Sequence, residues 1–120
     1  MGESLQGRRV LVVEDESLVA MLIEDMLLDL GAEVEVAMRL SEALRLAREA
    51  DFDLAVLDVN LGNGERSDEV ADALRSRSIP FMFATGYGEH GLAERHRGTP
   101  TLQKPYRHAD LSRTIGGLVQ

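Results

Sequence analysis

Short apolar runs alternate with helix-like stretches five times along the chain. Arg8 to Val13 predicts a first strand. Ser17 to Leu30 has apolar residues at helical spacing, through Val19, Leu22, Ile23, Met26 and Leu30, with Gly31 as the stop. Glu33 to Ala37 alternates Val34 and Val36 with glutamates, the pattern of an edge strand with one wet face. A second helix is expected from Ser41, a good N-cap, with Ala43, Leu44, Ala47 and Ala50 on its apolar side. Asp53 to Leu57 is almost continuously apolar and suits a central parallel strand buried on both faces. Asn60 to Arg66 contains Gly62 and Gly64 and reads as a loop.

The third helix is expected over Ser67 to Ser76, burying Val70, Ala71 and Leu74. Ile79 to Ala84 gives a fourth strand, opened by Pro80 where proline is tolerated. Glu89 to His96 gives a weak fourth helix, anchored only by Leu92 and Ala93 and containing Gly91. Thr99 to Leu102 is the fifth strand. The last helix starts near Arg107 and buries Leu111, Ile115 and Leu118, with Gly116 and Gly117 fraying its end. Five such units predict right-handed crossovers and a parallel sheet with helices on both faces.

Four polar signals follow the apolar runs. They are Glu14-Asp15-Glu16, Asp58, Thr85, and Lys104 with Pro105 behind it. Each falls just past a strand's C-terminal end, the edge at which open parallel sheets bind ligands. Three carboxylates, a hydroxyl and an ammonium meeting there suit a divalent cation and a phosphoryl group.

Bulk properties narrow the field. The chain has 120 residues, which favours one compact domain. It has no cysteine, which excludes disulfides, thiolate zinc sites and cysteine nucleophiles. No apolar run is long enough to span a bilayer and no signal peptide is evident, so the expectation is a cytoplasmic protein without membrane contact. The net charge is −8 with no offsetting basic cluster, which argues against direct nucleic acid binding. His90, His96 and His108 read as solvated surface residues, and His90 and His96 lack the spacing of a helical metal pair.

The segments Val10 to Glu16, Leu57-Asp58-Val59-Asn60-Leu61, Phe83-Ala84-Thr85-Gly86-Tyr87 and Gln103-Lys104-Pro105-Tyr106, in this order and spacing, resemble a response-regulator receiver domain of two-component signalling. The likeness covers essentially the whole length. It implies a flavodoxin-like α/β fold, a doubly wound five-stranded parallel sheet in the order 2-1-3-4-5, which sets Asp15 beside Asp58. It implies one receiver domain over residues 1–120, with its core about 8–118 and no separate output domain. On this reading Asp58 accepts the phosphoryl group as an acyl phosphate. Asp15, Asp58 and the backbone carbonyl of Asn60 bind Mg²⁺, or Mn²⁺ as the alternative, and Glu14 acts through a water. Lys104 gives a positive point charge to a phosphate oxygen, and Thr85 a hydroxyl. The implied donor is a sensor histidine kinase or a histidine phosphotransfer protein. The downstream protein partner is not readable. Such a module is a signalling domain, not an enzyme beyond its own phosphorylation and dephosphorylation.

Several positions depart from the common pattern. Glu14 stands where most receivers have aspartate. Thr101 stands where chemotaxis-type receivers carry an aromatic switch residue. Phe-Ala-Thr-Gly with Tyr87 is similar to a single-domain subgroup named for that motif, in which Tyr87 would take over the signalling role; read from the residues alone, Tyr87 and Tyr106 are either core edges or partner-facing, and Thr101 sits at the switch position. Plainer readings remain beside these: Glu14 and Asp15 as first-turn acids, Thr85-Gly86 as a strand-ending turn, Lys104 as a surface lysine. Two alternatives also stand. One is the receiver segment of a larger hybrid histidine kinase. The other is a small aspartyl-phosphate phosphatase, which usually needs an acid two residues after the nucleophile, where this chain has Asn60. A glycine-rich nucleotide site is ranked last, because the first turn is acidic.

Overall fold

The computed structural model describes residues 5–85, 92–103 and 107–118. Its five strands are β1 (Arg9–Val13), β2 (Glu33–Ala37), β3 (Leu54–Asp58), β4 (Phe81–Thr85) and β5 (Thr101–Gln103). All pair in parallel, in the order β2-β1-β3-β4-β5. The helices are α1 (Ser17–Asp29), α2 (Leu40–Glu49), α3 (Asp68–Ser76) and α4 (His108–Leu118), with a 3₁₀ turn at Glu94–His96. The expected order and the helices on both faces are therefore observed.

The period-2 alternation of strand side chains divides the core into two layers. Leu11, Val13, Ala55, Leu57, Phe81 and Phe83 point to the side covered by α2 and α3. Val10, Val12, Leu54, Val56, Met82 and Ala84 point to the side covered by α1 and α4. β3 is buried at every position, whereas β2 at the sheet edge exposes Glu33 and Glu35. Gly31 ends α1 at φ +92°, with its N–H on the Leu28 carbonyl and the Ala32 N–H on that of Leu27. This is the Schellman closure, and its left-handed backbone favours glycine; a Cβ at Gly31 would also crowd the Gln6 backbone at 3.1 Å. No helix among the described residues is long and apolar enough to cross a membrane.

Three side-chain expectations fail. Leu22 is about half exposed rather than buried, because Ala20 and Leu27 join Ile23 and Met26 against the sheet and rotate the apolar stripe. Leu18, Met21 and Leu28 are exposed with it. Ser41 does not cap α2, which starts one residue earlier after Arg39. Leu118 is only partly buried.

The largest correction is His96. Far from being a surface residue, it has no exposed area and sits edge-on to Phe81, with its ring centroid 5.8 Å from that of Phe83. Its Nε2 lies 2.9 Å from Asp72 Oδ1 on α3, although no well-aligned hydrogen bond reaches either ring nitrogen. Arg95 grips the same carboxylate, with Nε donating to Oδ1 at 3.0 Å and Nη2 to Oδ2 at 2.8 Å. The expected fourth helix is a short 3₁₀ turn where described, pinned by Leu92 and His96; residues 86–91 lie outside the described residues.

The hydrogen bonds from Arg95, with a smaller contribution from His96, hold the Asp72 carboxyl below the usual carboxylate range. Ionised Asp72 therefore stabilises the fold above the unfolded-state pKa of about 4, and that contribution fades as pH falls through the lower folded-state value. Thermal midpoints measured across this acid range should drop more steeply for the wild type than for Asp72→Asn. Equal acid sensitivity in the two proteins would show that the tie contributes nothing.

Candidate functional site

Strand register brings the polar signals to one edge. Val13 pairs with Leu57, and Asp58 pairs with Ala84. Continued by one residue, β1 sets Glu14 level with Asp58, one strand spacing of about 4.8 Å away. Thr85 closes β4 opposite Gln103, one position past the partner of Asp58. Asp58 keeps the side-chain parity of Leu54 and Val56, and Glu14 that of Val10 and Val12, so both belong to the α1 side of the sheet.

Burial separates the acids. Glu14 is fully buried, Asp58 is 8% exposed, Asp15 is half-buried and Glu16 is exposed. The Glu14 N–H donates to the Ala37 carbonyl at 3.1 Å, which extends the β1–β2 ladder. Its Oε1 accepts the Glu16 N–H at 3.2 Å, which folds the acidic loop back on itself. Oxygens from Glu14, Asp15 and Glu16 lie within 4.8 Å of one another, the group among the described residues with that spacing. Hard divalent cations take carboxylate oxygens, so three carboxylates gathered at this spacing are a suitable kind of donor for one. Asp58 stands beside the trio rather than within it. The sequence marks Glu16 as part of an acidic triplet but not as a donor.

The loop after β3 closes over these acids. The Leu61 N–H donates to the Glu65 carbonyl at 2.9 Å, the Ser67 N–H donates to Val59 at 3.0 Å, and Asn60 bridges to Arg66. Gly62 in this turn has φ +78°, and a Cβ on it would lie 3.0 Å from Asp15 Oδ2. The loop thus comes down onto Asp15, an approach that the sequence signalled only as a glycine. Asn60 is exposed. Between this loop and the start of α2 lies a cleft of about 640 Å³ that includes Asp15, Arg39, Ser41 and Gly62.

Thr101 Oγ1 donates to the Thr99 carbonyl at 2.9 Å, so this residue is engaged locally. The backbone of Thr85 is in β4, but its side chain is not described. Lys104, Tyr87 and Tyr106 lie outside the described residues.

Residues 10–115 match the model of the response regulator receiver domain. The chain is 34% identical over 110 residues to the phyllosphere-induced regulator PhyR of Methylorubrum extorquens, covering 88% of this chain and 41% of that protein. It is 33% identical to the transcriptional regulatory protein PdtaR of Mycobacterium tuberculosis, covering 87% of this chain and 53% of that one. The chain thus spans about half the length of these curated relatives. The solution structure of SdrG from Sphingomonas melonis Fr1 superposes with a TM-score of 0.80 at 39% identity, covering 95% of this chain and 98% of SdrG. By family match, sheet order and these likenesses, the chain belongs to the response regulator receiver domain family of two-component signalling.

Proposed function

We propose that this receiver takes a phosphoryl group on Asp58, with Mg²⁺ bound by the acidic loop after β1. The observation that carries the reading is the register, which sets nearly buried Asp58 one strand from buried Glu14. Carboxylates so close repel one another, and a divalent cation offsets that repulsion. Receiver domains bind Mg²⁺ in their active site. Here Asp15, Asp58 and the Asn60 carbonyl would hold the ion, with Glu14 acting through a water and Glu16 closing the trio. When bound, the cation neutralises charge on the transferring oxygens.

The chain's own groups do the rest. An Asp58 carboxylate oxygen forms a bond to phosphorus while the bond from phosphorus to the donor imidazole nitrogen breaks, and the electron pair stays on that nitrogen. Thr85, the last residue of β4, and Lys104, next in sequence after β5, would each meet a phosphate oxygen. Receiver domains pair with histidine kinases or phosphotransfer proteins. Exposed Leu18, Met21 and Leu22 begin immediately after the acidic loop, and this apolar strip suits docking of a donor's helix beside the site. Tyr87, Thr101 and Tyr106 would report the phosphorylated state. The output is binding of a downstream protein or drainage of phosphate from a kinase, in the cytoplasm. PhyR of Bartonella quintana is an anti-anti-sigma factor, and an anti-sigma factor is the first downstream partner to test.

Three outcomes test this reading. With Mg²⁺ and acetyl phosphate, intact-mass spectrometry should find one added phosphoryl group on the wild type and none on Asp58→Ala; addition to both would move the acceptor elsewhere. Mg²⁺ at about a hundred times its Kd should stabilise the wild type by about 2.7 kcal/mol, and Asp15→Asn should lose most of that gain. Gly62→Ala should cost about 1 kcal/mol of stability through its left-handed backbone, and should also weaken the Mg²⁺ response by crowding Asp15. A full Mg²⁺ response in both variants would place the cation at another site.

A further inference from the structure

The edge of the sheet opposite the acidic row carries the opposite charge. There the end of α3, the start of β4 and the turn leading into β5 enclose an open groove of about 690 Å³ bordered by Arg75, Arg95 and Arg97. In a chain of net charge −8, three guanidinium groups around one groove are a local reversal of sign. The three differ in what they already hold. Arg95 is committed to Asp72. Arg75 has no carboxylate partner among the described residues; it donates to the Arg95 carbonyl at 3.0 Å and to Thr99 Oγ1 at 3.2 Å, and lies over the Phe81 ring at 5.3 Å. Arg97 is exposed and has no ion pair among the described residues. The groove thus offers one guanidinium held in place by its neighbours and one left in water, with Pro80, Pro100 and Leu118 lending apolar surface beside the nearly buried Ile79 and Phe81.

We propose that this groove binds an acidic segment of a partner protein, in which carboxylates alternate with apolar side chains. A fixed guanidinium gives up little entropy when it meets a carboxylate, and the N–H groups that Arg75 has not spent on Arg95 and Thr99 remain to donate to it. The apolar surface has nothing to offer a free inorganic anion, but it accommodates a leucine-like side chain between two acids. The chain's overall negative charge works against a nucleic acid, whose phosphates extend far beyond the groove. The groove opens at the pole away from Asp58, so a partner seated there leaves the phosphorylation edge clear for a donor.

The test is a titration of the ¹⁵N-labelled chain, in Mg²⁺-free buffer, with the capped peptide acetyl-Glu-Leu-Glu-Leu-Glu-amide. Amide shifts should concentrate on Arg97, Gly98, Thr99 and the end of α3. Affinity should fall about tenfold or more for the Gln-Leu-Gln-Leu-Gln analogue and for Arg97→Glu, since each removes a charge-assisted contact. Arg75→Gln should act in the same direction, and an unchanged spectrum away from the groove establishes that each variant folds. Raising salt from about 0.1 to 1 M shortens the screening length from about 10 to 3 Å and should weaken binding. The proposal is overturned if the glutamine peptide shifts the same amides equally, or if Arg97→Glu and Arg75→Gln both bind as the wild type does. It is also overturned if inorganic phosphate reproduces the shifts at matched concentration, or if dilution without peptide reproduces them, which would mark the groove as an interface between two copies of this chain.

Discussion

The fold rests on the parallel register of β1, β3 and β4. Because a parallel sheet aligns every C-terminal strand end on one edge, a polar residue placed after each apolar run must emerge among the others. The pairing of Val13 with Leu57 and of Asp58 with Ala84 brings the ends of three strands, β1, β3 and β4, into one row. A slip of one residue in β3 would carry Asp58 to the α2–α3 side and put Leu57 on the acidic face. Such a slip would bury the Asp58 carboxylate in an apolar layer, a cost that opposes it.

Burial at this edge has an electrostatic consequence. Removing carboxylates from water is costly unless they are compensated, and Glu14 and Asp58 are both withdrawn. Part of the compensation for Glu14 is the Glu16 N–H, which also draws the acidic loop into a cluster. The turn at Gly62 completes the wall by approaching Asp15, in a left-handed backbone conformation that favours glycine and at a distance that a Cβ would crowd. The site is thus built by backbone geometry from two loops, each anchored by a buried strand. At the opposite edge, arginines along the α3 end and the turn into β5 gather around a groove, so the molecule carries separate poles of charge.

Much of this was readable in the sequence because its signals were local. The β2 boundaries and the buried character of β3 came directly from alternating and continuous apolar runs. The Gly31 stop came from C-terminal helix chemistry. The position of Asp58 after an apolar run implied a sheet edge, and the strand order came with the family resemblance. What was missed depended on contacts distant in sequence. Leu22 fits a helical stripe as well as Leu27 does, and only the direction from which the sheet meets α1 decides between them. His96 looked solvated because its niche is assembled from Phe81, Phe83 and Asp72, on two other elements; its spacing of four from Leu92 was the one available hint. Glu16 was counted as charge and not as a donor, because its role depends on how the loop turns back toward Glu14.

The proposed cation site lies at the meeting of the β1 and β3 ends, beside Asp58. Substoichiometric Mn²⁺ added to the ¹⁵N-labelled chain reads that position directly, because a bound paramagnetic ion broadens nearby amides most. The account predicts that broadening is strongest at Asp15, Asp58, Asn60 and Gly62, and that excess Mg²⁺ reverses it. Broadening centred on other carboxylates, such as Asp51 and Asp53 at the far end of β3, would contradict it.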